Sequence, residues 1–263
     1  MNNDSQALRP HVDRLAGHHI LVTGAASGLG LAIARRIVAE GARVAICDLD
    51  AAGAEAAAET LGDMAIAIPL DVTSEGDWQR CCDQVRSQWG RLDGVVNNAG
   101  ITTMGSIEEL DVADLRHELE VDVIGVFLGC KAGIALMKTT GGSIVNMSSA
   151  AGLKADPDLV GYNSAKAAVT MMTKSVALHC ARSAYGIRCN SVHPGIIRTP
   201  IVDKVLSQVE DPEATLAAFL SVHPIGRMGT PEDIAAITAY LLSDESRFAT
   251  GAAFSIDGGM TAL

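Results

Sequence analysis

Short apolar runs rich in β-branched residues recur along the chain at 19–23, 43–47, 65–69, 94–96, 143–146, 187–192 and 252–256. Between them lie longer stretches whose apolar residues fall at helical spacing, at 29–40, 51–61, 75–89, 111–137, 159–181 and 231–242. The short runs are apolar on both faces, which places them in a parallel sheet covered by helices on each side. Strict alternation of strand and helix predicts one α/β domain, a Rossmann-like doubly wound parallel sheet of about seven strands with right-handed crossovers. The domain is expected to span 18–263, after a loose arm over 1–17. The rhythm breaks between Thr199 and Met228, where helical patches occur without a strand. An insertion at a strand end overhangs the crevice where ligands bind, so 199–228 reads as a substrate lid; an ordinary pair of surface helices is the alternative.

Composition narrows the class. Of 263 residues, 48% are apolar and 19% charged, enough to build a core and too apolar for a disordered chain. The balance of 20 Lys+Arg against 31 Asp+Glu repels phosphate backbones, and no basic patch offsets it, so no nucleic-acid partner is expected. The polar opening MNNDSQALRPHVDRLAGHH has no signal-peptide core, and no apolar run nears the roughly 20 residues that span a bilayer. A cytoplasmic protein without membrane contact is the expectation. The cysteines Cys47, Cys81, Cys82, Cys130, Cys180 and Cys189 form no metal-binding spacing and sit in apolar segments, so they read as small core residues, with no metal expected.

The first run, HHILVT, leads directly into Gly24-Ala25-Ala26-Ser27-Gly28-Leu29-Gly30 and then a helix. Glycines between a strand and a helix let the backbone approach a pyrophosphate, which the helix N-terminus then favours. The spacing is G-x-x-x-G-x-G rather than the commoner dinucleotide pattern, but the strand–loop–helix context is the required one. The second run ends at Asp48, eighteen residues after Gly30. A carboxylate there accepts hydrogen bonds from the adenosine ribose and repels a 2′-phosphate; Ser27 offers no basic partner for that phosphate either. NAD is therefore the expected cofactor. The plain alternative for Asp48 is a helix cap, for which Asp50 is the more natural residue.

Tyr162 and Lys166 lie four apart on a helical pattern and share a face. A phenol titrates near about 10 and is a poor base near neutrality. A neighbouring ammonium, with the positive ring of an oxidised nicotinamide, favours the phenolate and suits it to general acid/base work. Ser149 ends the strand-turn IVNMSS thirteen residues earlier, with Ser148 as the adjacent candidate. No motif supplies a histidine base, which argues against a covalent serine mechanism.

TGAASGLG at 23–30, NNAG at 97–100, Ser149, YNSAK at 162–166 and PGIIRTP at 194–200 resemble, in order and spacing, the motifs of the short-chain dehydrogenase/reductase family. The likeness runs from about 19 to the Ile256-Asp257-Gly258-Gly259 segment, nearly the whole chain. It implies that Ser149 holds the substrate oxygen, that Tyr162 is the acid/base, and that Lys166 also binds the nicotinamide ribose and relays the proton. It assigns Gly24, Ser27, Gly28, Leu29 and Gly30 to the pyrophosphate, and Asp71 and Val72 to adenine. The segment of Asn97, Asn98, Ala99 and Gly100 is assigned to the ribose side. Pro194, Gly195, Ile196, Ile197 and Thr199 form the segment against the carboxamide, with Ile196 and Thr199 its holders. His193 reads as a strand-end residue near the cofactor, with a catalytic role as the alternative. A homotetramer is implied, with the 111–137 and 159–181 helices in one interface and the C-terminal segment in another.

The chain departs from the family at Asp122, in LEVDVIGVFLG, where an asparagine is usual. If the family residue acts through its backbone carbonyl, aspartate preserves the role. If the side chain matters, a carboxylate pairs with Lys166 and opposes tyrosinate formation. The stretches expected to face substrate, 101–104, 150–161 and 201–219, are mainly apolar or small, and Arg198 is poorly placed to clamp an anion. The reading is an NAD-dependent dehydrogenase of a neutral, hydrophobic secondary alcohol, alicyclic or steroid-like. A 3-oxoacyl-thioester reductase and a catalytically inactive nicotinamide-binding sensor are the alternatives.

Overall fold

A computed structural model describes residues 13–199, 202, 206–207 and 211–262. Strands β1 (His19–Thr23), β2 (Arg43–Asp48), β3 (Ala65–Pro69), β4 (Gly94–Asn97), β5 (Gly142–Met147), β6 (Ile187–Pro194) and β7 (Ala253–Ile256) form one sheet, ordered β3-β2-β1-β4-β5-β6-β7 and parallel throughout. Helices α1 (Gly28–Ala39), α2 (Ala51–Leu61), α3 (Glu75–Trp89), α4 (Val112–Leu119), α5 (Gly125–Met137), α6 (Val160–Arg182), α7 (Pro212–Ser221) and α8 (Pro231–Leu242) follow the strands or lie in the overhang. The doubly wound parallel sheet expected from the alternation is the architecture found.

The strands separate two cores. Ile20, Val22, Val44 and Ile46 pack with Ile33 and Ile37 of α1 and Ile234 and Leu241 of α8. Leu21, Ala45 and Val95 point the other way, onto Trp78 and Val85 of α3, Val126 of α5 and Val169 of α6. Successive strand residues point to opposite faces, so a strand buried on both must be apolar at every position. Each fully buried Ile or Leu contributes about 1.5–3 kcal/mol.

Local signals end the helices as expected. Ser74 caps α3 by accepting from the Asp77 amide, and Gly90 closes that helix at φ +72°. Thr230 and Asp233 form a reciprocal capping box at α8, with Pro231 in the first turn. All six cysteines are free and buried, and burial pushes the Cys82 thiol up to about 11.

Two expectations change. The 111–137 helix is not uniform: α4 passes through a π-helical turn, Glu120–Ile124, before α5 begins. Such turns insert one residue and re-aim the side chains around it. Residues 13–17 are not loose. Leu15 is fully buried, its amide donates to the Glu40 carbonyl at 2.8 Å, and Arg14 pairs with the buried Glu40 carboxylate at 2.7 Å. In the 199–228 overhang the described residues include α7, capped by Asp211, and the rest of that stretch up to 210 lies largely outside the described residues. Among the described residues no helix is long and apolar enough to cross a membrane, and no cluster of His, Cys, Asp and Glu is arranged to hold a metal.

Candidate active site

Strand order reverses between β1 and β4, and in such sheets the crevice beyond the carboxyl ends at that point receives ligands. Here it holds a cavity of about 540 Å³, within the range of cofactor and small-molecule sites. Its floor is the glycine loop. Thr23 Oγ1 accepts from the amides of Asn98 and Ala99, each at 3.0 Å. Asn98 Nδ2 donates back to the Thr23 and Gly24 carbonyls at 3.0 and 3.1 Å. The Asn98 side chain is thus engaged in bracing the loop, although the residue also lines the cavity.

Two glycines show what the loop requires. A Cβ on Gly30 would collide with the Gly24 carbonyl and stand 2.6 Å from Asn98 Nδ2. Gly28 has φ +54° and open space where a side chain would project. Ser27, at the N-cap of α1, makes no side-chain capping bond, so no side chain claims the first-turn amides. Closed packing below and open, amide-lined space above fit a bound pyrophosphate.

Asp48 stands on the same wall. Its Oδ2 accepts from the Ala26 amide and its Oδ1 from the Asp50 amide, both at 3.0 Å, which fixes the carboxylate at the end of β2. Asp50, not Asp48, caps α2 by accepting from Gly53. Farther along, Asp71 and Val72 line the wall, with Asp71 Oδ1 accepting from the Thr73 amide and hydroxyl.

The opposite end carries Ser149, Tyr162 and Lys166. Lys166 Nζ lies 5.3 Å from the centre of the Tyr162 ring and donates to the Met147 carbonyl at 3.3 Å. It pairs with Asp122 Oδ2 at 2.7 Å, and Asp122 Oδ1 accepts from the Ile101 amide at 2.8 Å. Burial alone would lower the Lys166 pKa; the charges of Tyr162, Asp122 and Glu118 outweigh it and raise the value instead. Lys166 is therefore an ammonium. The side chain at position 122 thus engages the lysine. Asp122 is fully buried behind the cavity wall rather than part of it.

The two serines divide their roles. Ser148 Oγ is buried against α6, donating to the Lys166 carbonyl at 2.9 Å and meeting Thr170 Oγ1 at 3.1 Å. Ser149 Oγ accepts from the Ala151 amide at 3.1 Å, which leaves its own proton for donation toward the cavity. His193 is fully buried, with Nδ1 donating to the Ser149 carbonyl at 3.0 Å and Nε2 accepting from Ser191 Oγ at 2.9 Å. Burial lowers its pKa from 6.5, so it is a neutral anchor of the Ser149 backbone rather than an acid or base.

Of the other expected residues, Leu29, Gly100, Pro194, Gly195, Ile197 and Thr199 line the cavity. Ile196 does not; its amide donates to His223 Nε2 at 3.0 Å, because the chain turns there to pair Ile197 with Gly229. Asn97 is buried in the sheet and donates to Asn146 Oδ1 at 2.8 Å. Of the expected substrate stretches, Ile101 and Thr102 reach the wall, while 150–161 does not. The lining also includes His117 and Val121, and Glu118 lies close behind them; the sequence reading missed all three. Glu118 was legible only as a charge four residues before Asp122, a spacing that more often marks a solvated face.

Residues 24–261 match a family model described as enoyl-(acyl carrier protein) reductase. The chain is 44% identical to an NADP-dependent (R)-specific alcohol dehydrogenase of Lentilactobacillus kefiri, over 95% of this chain and 99% of the relative. It is 38% identical to a 3-beta-hydroxysteroid dehydrogenase of Comamonas testosteroni (95% and 98% covered) and 39% identical to a trans-4-hydroxycyclohexanecarboxylate dehydrogenase of Sinomonas cyclohexanicum (95% of each). The chain belongs to the short-chain dehydrogenase/reductase family, whose fold and ordered motifs it carries from end to end. It is an oxidoreductase of that family, built to work with a nicotinamide cofactor.

Proposed function

We propose that the protein interconverts a neutral, hydrophobic secondary alcohol, alicyclic or steroid-like, and its ketone, with NAD(H) as cofactor and Tyr162 as general acid/base. The observation that carries this reading is the placement of Ser149, Tyr162 and Lys166 on one wall of the cavity that the glycine loop and Asp48 close at its other end. The glycine loop and the α1 amides would hold the pyrophosphate, Asp48 the adenosine ribose, and Asp71 with Val72 the adenine; the nicotinamide, when bound, supplies the hydride acceptor or donor.

In the oxidation direction the Tyr162 phenolate takes the hydroxyl proton while the carbinol C–H bond gives up its hydride. Ser149 donates a hydrogen bond to the substrate oxygen, and the Lys166 ammonium favours the phenolate through its charge. Reduction runs the same steps backward. Among the described residues of the lining Lys166 is the cation of full charge, and it is already paired with Asp122, so no described side chain there clamps a carboxylate or phosphate. Ile101, Val121 and Met147 add apolar surface, and a neutral substrate suits such a wall.

The name of the Lentilactobacillus relative raises the NADP reading. Against it stands the fixed Asp48 carboxylate, which would repel a 2′-phosphate. The exposed apolar side chains Ile124 and Phe127 near α5, and Met171 and Leu178 on α6, support the proposed homotetramer, since these helices form the expected interface.

The test is absorbance of reduced nicotinamide with NAD and NADP separately, over cyclic, steroidal and acyl-thioester substrates. Turnover with NAD on an alicyclic or steroidal alcohol is expected. Turnover confined to acyl thioesters with NADPH overturns the substrate and cofactor together, and cofactor binding without turnover on any of them points to a sensor.

A further inference from the structure

Behind the Tyr162–Lys166 wall lies a group of charges that the mechanism above uses only in part. Glu118 and Asp122 lie four residues apart, across the junction of α4 with its π-helical turn, and both are fully buried. Asp122 pairs directly with Lys166. Glu118 Oε1 accepts from the Thr103 amide at 3.1 Å, while its Oε2 is buried with no hydrogen-bond partner. That oxygen packs against Gly161, where any Cβ would collide with it, so Glu118 abuts the residue preceding Tyr162. One buried carboxylate thus pairs with the buried ammonium, and a second lies one helical turn away, against the residue that precedes Tyr162. An isolated buried carboxylate is costly, and it persists where its charge is shared or its proton retained. Burial and the neighbouring Asp122 charge raise the Glu118 pKa, although the Thr103 amide and Lys166 oppose them.

We propose that Glu118 and Asp122 act as a pair of positioning residues for Tyr162–Lys166. Asp122 fixes the ammonium, and together the two carboxylates offset its charge, so that the phenolate forms at higher pH than Lys166 alone would set. Among the described residues, the further titratable side chains of this region include His117 on the cavity wall and His193 on β6, the latter buried against the Ser149 carbonyl with its pKa lowered by burial. Neither supplies the negative charge that the proposal needs. Removing negative charge favours a neighbouring phenolate, which fixes the sign of the test.

The proposal rests on the assignment of Tyr162, but its test does not require the substrate to be known. Ultraviolet phenolate absorbance of Tyr162 is titrated with NAD bound in the wild type, Glu118→Gln, Asp122→Asn and the double variant, with Tyr162→Phe subtracted. Phenolate is expected to appear at lower pH in both single variants and lowest in the double, by about one pH unit or more. Once a substrate is found, the acid limb of kcat/KM for oxidation should move the same way. Superimposable titrations in wild type and Glu118→Gln overturn the pair, even if Asp122→Asn fails to fold. Shifted titrations without turnover leave the pair standing and count against the dehydrogenase reading alone.

Discussion

The two ends of the cleft are made from different materials. The β1–α1 end is built from backbone: amides, carbonyls and glycines held by Thr23 and Asn98, with the carboxylates of Asp48 and Asp71 on the adjoining wall. The α4–α6 end is built from buried charge, with Lys166 paired to Asp122, Tyr162 beside it and Glu118 buried one turn from Asp122. Backbone geometry responds to volume, whereas buried charge responds to protons. Damage at the first end should therefore be steric and nearly independent of pH, and damage at the second should change with pH.

The largest expected effect lies at the charged end. Tyr162→Phe should lower kcat by about 10²–10⁴-fold while NADH still binds, as judged by turnover against cofactor fluorescence. Retained turnover would move the acid/base role to another group. At the backbone end, Gly30→Ala puts a methyl onto the Gly24 carbonyl and Asn98, and should destabilise the protein by about 1–3 kcal/mol. NADH affinity should fall by a similar factor at every pH tested. An affinity loss that tracked pH would erase the contrast between the two ends.

Asp48→Asn keeps the side-chain size and removes the charge. The preference for NAD over NADP should fall by about ten- to a hundredfold, read as the ratio of kcat/KM values. An unchanged ratio would mean that Asp48 serves only to brace Ala26 and Asp50.

The smallest effect concerns His193, which burial holds neutral behind Ser149. Its pKa is lower in the folded protein than the ordinary 6.5, so the unfolded chain binds more protons below that value. Stability should therefore drop as pH falls through about 6.5, the ordinary histidine value. Tm measured against pH should lose part of that slope in His193→Gln. An identical slope would assign the acid sensitivity to other groups.

Much of this was legible in the chain. The apolar runs set the strands, because a strand covered on both faces has no place for polar alternation. The glycine loop declared itself by lying between a strand and a helix, and Tyr162 and Lys166 through the ordered set of motifs that resembles the family, their spacing adding only that they share a helix face. The π-helical turn was not legible, since its insertion leaves the apolar pattern of 111–137 nearly intact. Nor was the bracing role of Asn98, which depends on β1 and β4 being neighbours although 75 residues separate Thr23 from its amide.

The sequence alone determined the sheet and the chain order of its elements, since these follow from local periodicity, and its ordered motifs singled out Ser149, Tyr162 and Lys166 as the candidate side chains. Tertiary structure decided which of two cavity-lining serines keeps its hydroxyl proton free, that Ile196 turns away to His223, and that Glu118 is buried beside Asp122. Those outcomes depend on which distant segment occupies the adjoining space, and the cost of burying a charge is set by its neighbours in three dimensions rather than along the chain.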